Sequence, residues 1–341
     1  MSVIYIGNFL GNKIGFYSGP NQFIVDSLLK EGINIKYASN KVNKFKRFAE
    51  FCKLIITERK NAKIAFIDTY STQAFYFSFF VSFLCIILNI KYVLVLHGGN
   101  LPERFHKSSK LIKWIFQNAF EIISPSKFLQ QKAIDSKLRI PLVIPNPIEL
   151  ARYKFKQREK IGPRLLWVRS LQSIYNPTMA LEVVQKLKVK YPTIYLTMVG
   201  PDKGNLLTKL KEEIVAKQIK NNVKFTDKLT LVEWMTLSED SDIFINTTHI
   251  DNTPVSVLEA MMLGLPIVST NVGGIPFVIG DKINGLLCND NNVEEMCRLI
   301  DLLISDPQLV KRLTLNARRF VDENYSSEKV LKAWIKLINT V

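Results

Sequence analysis

The chain has 341 residues, 47% apolar and 22% charged, an ordinary globular composition with core enough for two domains. Its three scattered histidines exclude a His-based metal site, and Cys52, Cys85, Cys288 and Cys297 form no close pair and read as reduced thiols. The net charge of +16 is uneven, +11 over residues 1–150 (20 basic, 9 acidic) and +5 over the rest (26 basic, 21 acidic).

Residues 2–7 (SVIYIG) read as a buried strand, reached with no signal peptide ahead of it, so a cytoplasmic chain is expected. A loop with Gly11, Gly15 and Gly19 follows, then a helical run over 22–30. Strand, glycine-rich loop and helix form a nucleotide-handling turn, although GxGxxG is absent. Gly19 opens the helix and is equally readable as a plain turn glycine. After a strand at 33–38, residues 41–63 carry eight basic residues among Phe45, Phe48, Leu54 and Ile55. Two readings stand: a basic amphipathic helix on an anionic membrane, or a surface helix whose apolar face packs on the sheet.

Residues 64–68 form a strand, and 72–90 (TQAFYFSFFVSFLCIILNI) are nearly continuously apolar. That run approaches the roughly 20 residues of a membrane span. It lies inside a βαβ pattern with no second span, so it is expected as a helix buried against a sheet, its outer face open to lipid. The strand at 92–96 delivers His97-Gly98-Gly99 at its C-terminal end, where open α/β sheets place ligands. Strands at 121–124 and 142–145 complete this half, and the charge-rich 151–164 reads as an interdomain linker.

The second half restarts with a strand at 165–168 ending on Arg169, a βα unit over 177–190, and a strand at 194–199 tipped by Gly200-Pro201-Asp202. Further strands fall at 222–225, 242–246 and 266–269. The repeated alternation predicts an α/β chain of two doubly wound halves. Asp240-Ser241-Asp242 has the form of a metal-binding DxD, but opens a strand and is read as a decoy. No triad, P-loop, zinc spacing or nucleic-acid signature appears, so neither an obligatory metal cofactor nor a nucleic-acid partner is expected.

The most informative stretch is 251–274, DNTPVSVLEAMMLGLPIVSTNVGG. Thr253 suits a helix N-cap, Pro254 the first helical position, and Gly264 with Pro266 the stop. Gly273-Gly274 then make a turn where backbone can approach a ligand. A helix N-terminus attracts phosphate, whereas Glu259, deeper in the helix, is placed to accept hydrogen bonds from sugar hydroxyls. A diphosphate-linked sugar meets both demands. Taken alone, Asp251 and Glu259 are equally two solvated acids.

This stretch resembles the donor-binding signature of retaining GT-B glycosyltransferases of the family 4 type, also called group 1. That signature is E-x7-E followed by E-A-M/A-x-x-G-x-P-V-V-x-x-x-x-G-G, and the chain matches at Glu259-Ala260-Met261, Gly264, Pro266, Gly273 and Gly274. It departs at Asp251, where the family has Glu, and at Phe277, where the family often has an acid. The family also places a Gly before the Arg at Arg169 and a Lys a few residues on; here Val168 precedes, and 170–177 (SLQSIYNP) holds no lysine. Tyr175, Asn176 or a basic residue elsewhere is left to fill that place.

The resemblance implies two Rossmann-like domains facing each other across a cleft, 1–150 for the acceptor and 151–326 for the donor, with 327–341 packing back on the first. It implies a nucleotide-diphosphate sugar bound by Glu259, Asp251, Arg169 and the backbone around Thr253, Pro254, Val255 and Ser256, with Gly19 and Gly200 alongside. His97 would face the reacting sugar, and Arg169 would neutralise the leaving diphosphate. The implied reaction is retaining hexosyl transfer to a glycan or lipid-linked acceptor in bacterial surface polysaccharide or glycolipid synthesis. The basic first half suits an anionic membrane surface as partner, hence a peripheral place at the inner membrane face. Two rivals are a non-catalytic sugar-nucleotide-binding relative and a GT-B nucleotide-sugar epimerase.

Overall fold

The computed structural model describes residues 2–10 and 19–341 and divides into two compact units, Met1–Ile148 with Asn324–Val341, and Glu149–Glu323. Gly11 and Gly15 lie outside the described residues.

The first unit runs β1 (Ser2–Ile6), α1 (Pro20–Lys30), β2 (Ile35–Ala38), α2 (Lys44–Glu58), β3 (Ala62–Tyr70), α3 (Ala74–Ile87), β4 (Tyr92–His97), α4 (Leu101–Lys107), α5 (Ser109–Asn118), β5 (Glu121–Ser124), α6 (Lys127–Asp135) and β6 (Leu142–Val143). Its sheet is parallel in the order β2-β1-β3-β4-β5-β6. Apolar runs such as VIYI and VLVL are buried on both faces, as parallel sheets require. Ile4, Ile6, Ala65, Ile67, Leu94 and Leu96 point to one face, against Phe51 and Ile55 of α2, Phe75 and Val81 of α3, and Ile112 of α5. Alternate residues Val3, Tyr5, Ile64, Phe66, Val93 and Val95 line the other face, against Ile24 and Leu28 of α1. The apolar run at 72–90 yields a helix of 14 residues rather than a longer one, capped where Leu88 leaves helical geometry. Among the described residues, no helix is long and apolar enough to cross a membrane.

The second unit runs β7 (Arg164–Val168), α7 (Pro177–Leu187), β8 (Tyr195–Val199), α8 (Leu207–Ala216), β9 (Val223–Thr226), α9 (Leu231–Glu239), β10 (Ile243–Asn246), α10 (Val255–Met262), β11 (Ile267–Thr270), β12 (Leu286–Cys288), α11 (Val293–Ser305) and α12 (Pro307–Tyr325). The order β12-β11-β10-β7-β8-β9, again parallel, reverses direction between β7 and β10. In the first unit the reversal falls between β1 and β3. Such reversals leave a crevice at the carboxyl ends of the strands. Strand β12 is too short for periodicity to signal it.

The last helix, α13 (Ser327–Asn339), packs on the first unit, with Trp334 against Phe66 (ring centroids 4.9 Å) and Tyr5 (6.0 Å). Residues 151–164, expected as a linker, are instead fastened to the second unit. Buried Arg158 donates to the carbonyls of Ser238, Ser241, Leu263 and Gly264 at 2.7–3.1 Å. A guanidinium carries five N–H donors, so one side chain can staple several carbonyls at once.

Candidate functional site

In the second unit, the polar groups gather at the reversal point. Arg169 follows β7 directly, and its amide donates to the Val199 carbonyl at 2.9 Å. Gly200, at φ +144°, lies so close that a Cβ there would sit 2.0 Å from the Arg169 carbonyl oxygen. Only glycine allows that approach, so Gly200 acts on the site by seating Arg169. The Arg169 guanidinium pairs with the Asp251 carboxylate and lies 5.1 Å from the Tyr175 ring. Its Nε is buried with no partner among the described residues.

Asp251 lies just beyond β10, on the far side of the reversal. Burial pushes its carboxyl above the ordinary value, opposed by Arg169 and by the Asn252 amide, which donates to Oδ1 at 2.8 Å. The Gly273-Gly274 turn was expected to admit a ligand. What it admits is the chain's own backbone: the Gly274 amide donates to the Asp251 carbonyl at 2.7 Å, and a Cβ on Gly274 would lie 1.6 Å from the Asn252 oxygen. The glycine pair therefore holds the Asp251 loop in place.

Helix α10 begins one residue later than expected. Pro254, extended at ψ 111°, is the N-cap, and no side chain caps the helix, so Thr253 does not take that role. A proline φ fits the cap as well as the first helical turn, which is why the residue pattern did not separate them. The Pro254 carbonyl accepts from Val257 and Leu258 at 3.1 and 3.3 Å, leaving the earlier amides of the turn uncapped by any side chain. Val255 is exposed, while the hydroxyl of Ser256 is buried without a partner among the described residues. Glu259 accepts a hydrogen bond from the Tyr153 hydroxyl at 2.9 Å. Burial raises its carboxyl to about 7, against the pull of that bond and of Arg169.

Tyr153 was missed because it lies in the segment read as linker; an aromatic amid charges was its one signal. Neither residue left to replace the family lysine supplies a cation. Tyr175 backs Arg169, and Asn176, in the left-handed region, caps α7 by accepting from Met179 at 3.3 Å. Asp242 is bound bidentately by Arg164 at 2.8 and 2.9 Å, at the opposite end of β10 from Asp251. Its carboxylate is structural.

The first unit brings a different group together. His97, ending β4, meets the buried Asp68 of β3 through Nε2 at 2.7 Å, and its ring stacks on Tyr70 at 5.0 Å. Asp68 also accepts from Tyr5 (2.9 Å), Asn21 (3.2 Å) and Tyr70 (3.3 Å). Burial, then the Asp68 charge, raises the Tyr5 and Tyr70 hydroxyls. Gly19 is the N-cap of α1 at an ordinary φ of −66°, two residues before Asn21. Asp68 escaped the sequence reading as the terminal residue of an apolar strand; an acid at a strand's carboxyl end was the signal available.

Comparison with known proteins bears on these two crevices. Residues 151–320 match the family model described as glycosyl transferases group 1. An uncharacterized glycosyltransferase of Haemophilus influenzae is 31% identical over 254 residues, 72% of this chain and 69% of that protein. The amylovoran biosynthesis glycosyltransferase AmsK of Erwinia amylovora is 24% identical over 70% of this chain and 61% of its own length. Among solved structures, Anabaena HepE in complex with UDP superposes with a TM-score of 0.79 at 16% identity, covering 100% of both chains. That likeness extends to the whole fold, two doubly wound α/β units of the GT-B kind. The chain belongs to the group 1 glycosyl transferases.

Proposed function

We propose that the protein transfers a hexose, with retention of anomeric configuration, from a nucleotide-diphosphate sugar to a glycan or lipid-linked acceptor in bacterial surface polysaccharide or glycolipid synthesis. The observation that carries the donor assignment is the set of unsatisfied groups at the β7/β10 reversal: Arg169 Nε, the Ser256 hydroxyl and the uncapped start of α10. Buried donors without partners cost free energy, and a diphosphate in that crevice would satisfy all three. Glu259, ionised, would accept from the ribose hydroxyls. Asp251 would accept from the hexose, releasing part of its hold on Arg169 as the diphosphate takes up the guanidinium.

In the transfer, the bond from the sugar's anomeric carbon to the diphosphate oxygen breaks and a bond to the acceptor oxygen forms. The proton of the acceptor hydroxyl passes to the departing diphosphate oxygen, and the nucleoside diphosphate leaves. Arg169 and the α10 amides stabilise the charge that develops on the leaving oxygen, which is where electrostatic catalysis acts. His97, oriented by Asp68, is assigned to the sugar in transfer. Gly19 and Gly200 border the phosphates, Gly200 through Arg169. Support for the donor class comes from HepE, solved with UDP and with UDP-glucose, and for the pathway class from AmsK.

A thermal-shift panel of nucleotide sugars tests this directly. One donor raises the melting temperature, and Glu259→Ala abolishes the gain. Nucleoside diphosphate is released only with an acceptor present, and the product's anomeric proton coupling reports retention. Release without acceptor, or donor left intact with every glycan and lipid acceptor, would favour the epimerase or the non-catalytic relative instead.

A further inference from the structure

Helices α2 and α3 pack side by side on the first unit, joined by Phe48 of α2 against Phe77 (5.1 Å) and Phe80 (6.1 Å) of α3. The inner face of α3 buries Phe75, Val81 and Cys85 against the sheet. Its outer face carries Tyr76, Phe80, Phe83 and Ile87, spaced as one stripe, with Phe80 52% and Ile87 62% exposed. Helix α2 repeats that spacing with Phe45, Ala49, Cys52 and Ile56, and Phe45 is 83% exposed. Two neighbouring helices thus hold bulky apolar side chains in water, a patch that marks an interaction surface.

Charge borders the patch on both sides. On α2, exposed Lys46 and Lys53 run along the flank away from α3, and Lys44 reaches Gln73 at 3.4 Å, just before α3 begins. On the other side, Trp114 of α5 packs on Phe79 and Phe83 (5.6 and 6.1 Å), and exposed Lys110 and Lys113 share that helix. The acids nearby are engaged: Glu50 accepts from Ser39 and pairs with Lys41, and Glu58 accepts from Ser2. Helices α3 and α5 contain no acidic residue.

We propose that this face docks on an anionic lipid bilayer, with α2 and α3 lying in the plane of the interface. An aromatic stripe between rows of lysine matches a surface whose interior is apolar and whose headgroups are negative. A second copy of the chain fits less well, since a self-complementary contact would set lysine rows against each other. Crossing the bilayer is excluded by length, because the 14 residues of α3 extend roughly 21 Å, short of the roughly 30 Å hydrocarbon core.

Flotation of the full chain on vesicles tests the proposal without donor or acceptor, so its outcome is separate from that of glycosyl transfer. The protein is expected to float with phosphatidylcholine vesicles containing phosphatidylglycerol, much less with phosphatidylcholine alone, and less again as salt rises. Phe80→Glu with Phe83→Glu should cut the bound fraction by roughly tenfold. Lys46→Glu with Lys53→Glu should lower it by a similar roughly tenfold factor on anionic vesicles only. Should the aromatic variant fail to melt cooperatively, the lysine variant decides. Wild-type protein left at the bottom of the gradient with anionic vesicles, or flotation unchanged in a folded variant, overturns the proposal. So does a dimer in sedimentation equilibrium that the Phe80 and Phe83 changes dissociate.

Discussion

The two sheet reversals are built alike and finished differently. At the β1/β3 crevice the buried acid, Asp68, has all its neighbours in place: Tyr5, Asn21, Tyr70 and His97 are bonded to it. At the β7/β10 crevice the polar groups are incomplete, with Arg169 Nε and the Ser256 hydroxyl buried and without a partner among the described residues. A satisfied network fixes the position of its members, whereas an unsatisfied one stores free energy that a ligand can release. We therefore propose the first crevice as an orienting device and the second as a binding one.

That contrast can be broken at Arg169 first. Arg169→Ala should lower kcat/KM by about 10²–10³-fold, the scale of losing a charge-stabilising donor. It should also lower the melting temperature, because Asp251 is left as a buried acid without its cation. Activity unaffected by this change would remove Arg169 from the site. Asp68→Asn probes the other crevice, where loss of the charged acceptor should cost about 2–3 kcal/mol in denaturant unfolding while donor affinity stays as it was. A variant equally stable by urea titration would contradict the orienting role.

Glu259 sharpens the comparison through pH. Its carboxyl is near 4.5 in an unfolded chain and about 7 when folded, so between those values the folded protein holds a proton that the unfolded chain has lost. The stability this provides is fully present below 4.5 and is lost as pH rises through about 7. Glu259→Gln should flatten that part of the profile. Donor affinity should behave oppositely, rising through the same range as the carboxylate forms, and Gln should weaken it by roughly tenfold above pH 7 and little well below it. Melting curves and donor titrations across the range check both halves. The smallest effect is expected of Ser256→Ala: donor binding weaker by about 0.5–1.5 kcal/mol, with folding stability of the free protein slightly raised because a buried hydroxyl without a partner among the described residues is removed.

Not every local signal was decisive. Thr253 suited the cap and Pro254 the first helical position, yet Pro254, extended at ψ 111°, takes the cap. The stretch 151–164 has a linker's charge, yet Tyr153 and Arg158 are buried in it. Their partners lie about the acid and carbonyls of α10 and α9, 80 or more residues away. The Gly273-Gly274 turn looked like a place for backbone to approach a ligand, and it accommodates the chain's own backbone, as Gly200 also does.

What the amino-acid order determined by itself was the alternation of strands and helices, the two doubly wound halves and the 251–274 run. Each of these depends on periodicity or on spacing between near neighbours. Tertiary structure alone decided which polar groups find partners, for those pairings join residues far apart: Asp68 with His97, Tyr153 with Glu259, Arg169 with Asp251. It also decided which apolar stripes of α2 and α3 meet the sheet and which meet water, since both faces of α3 read alike in composition.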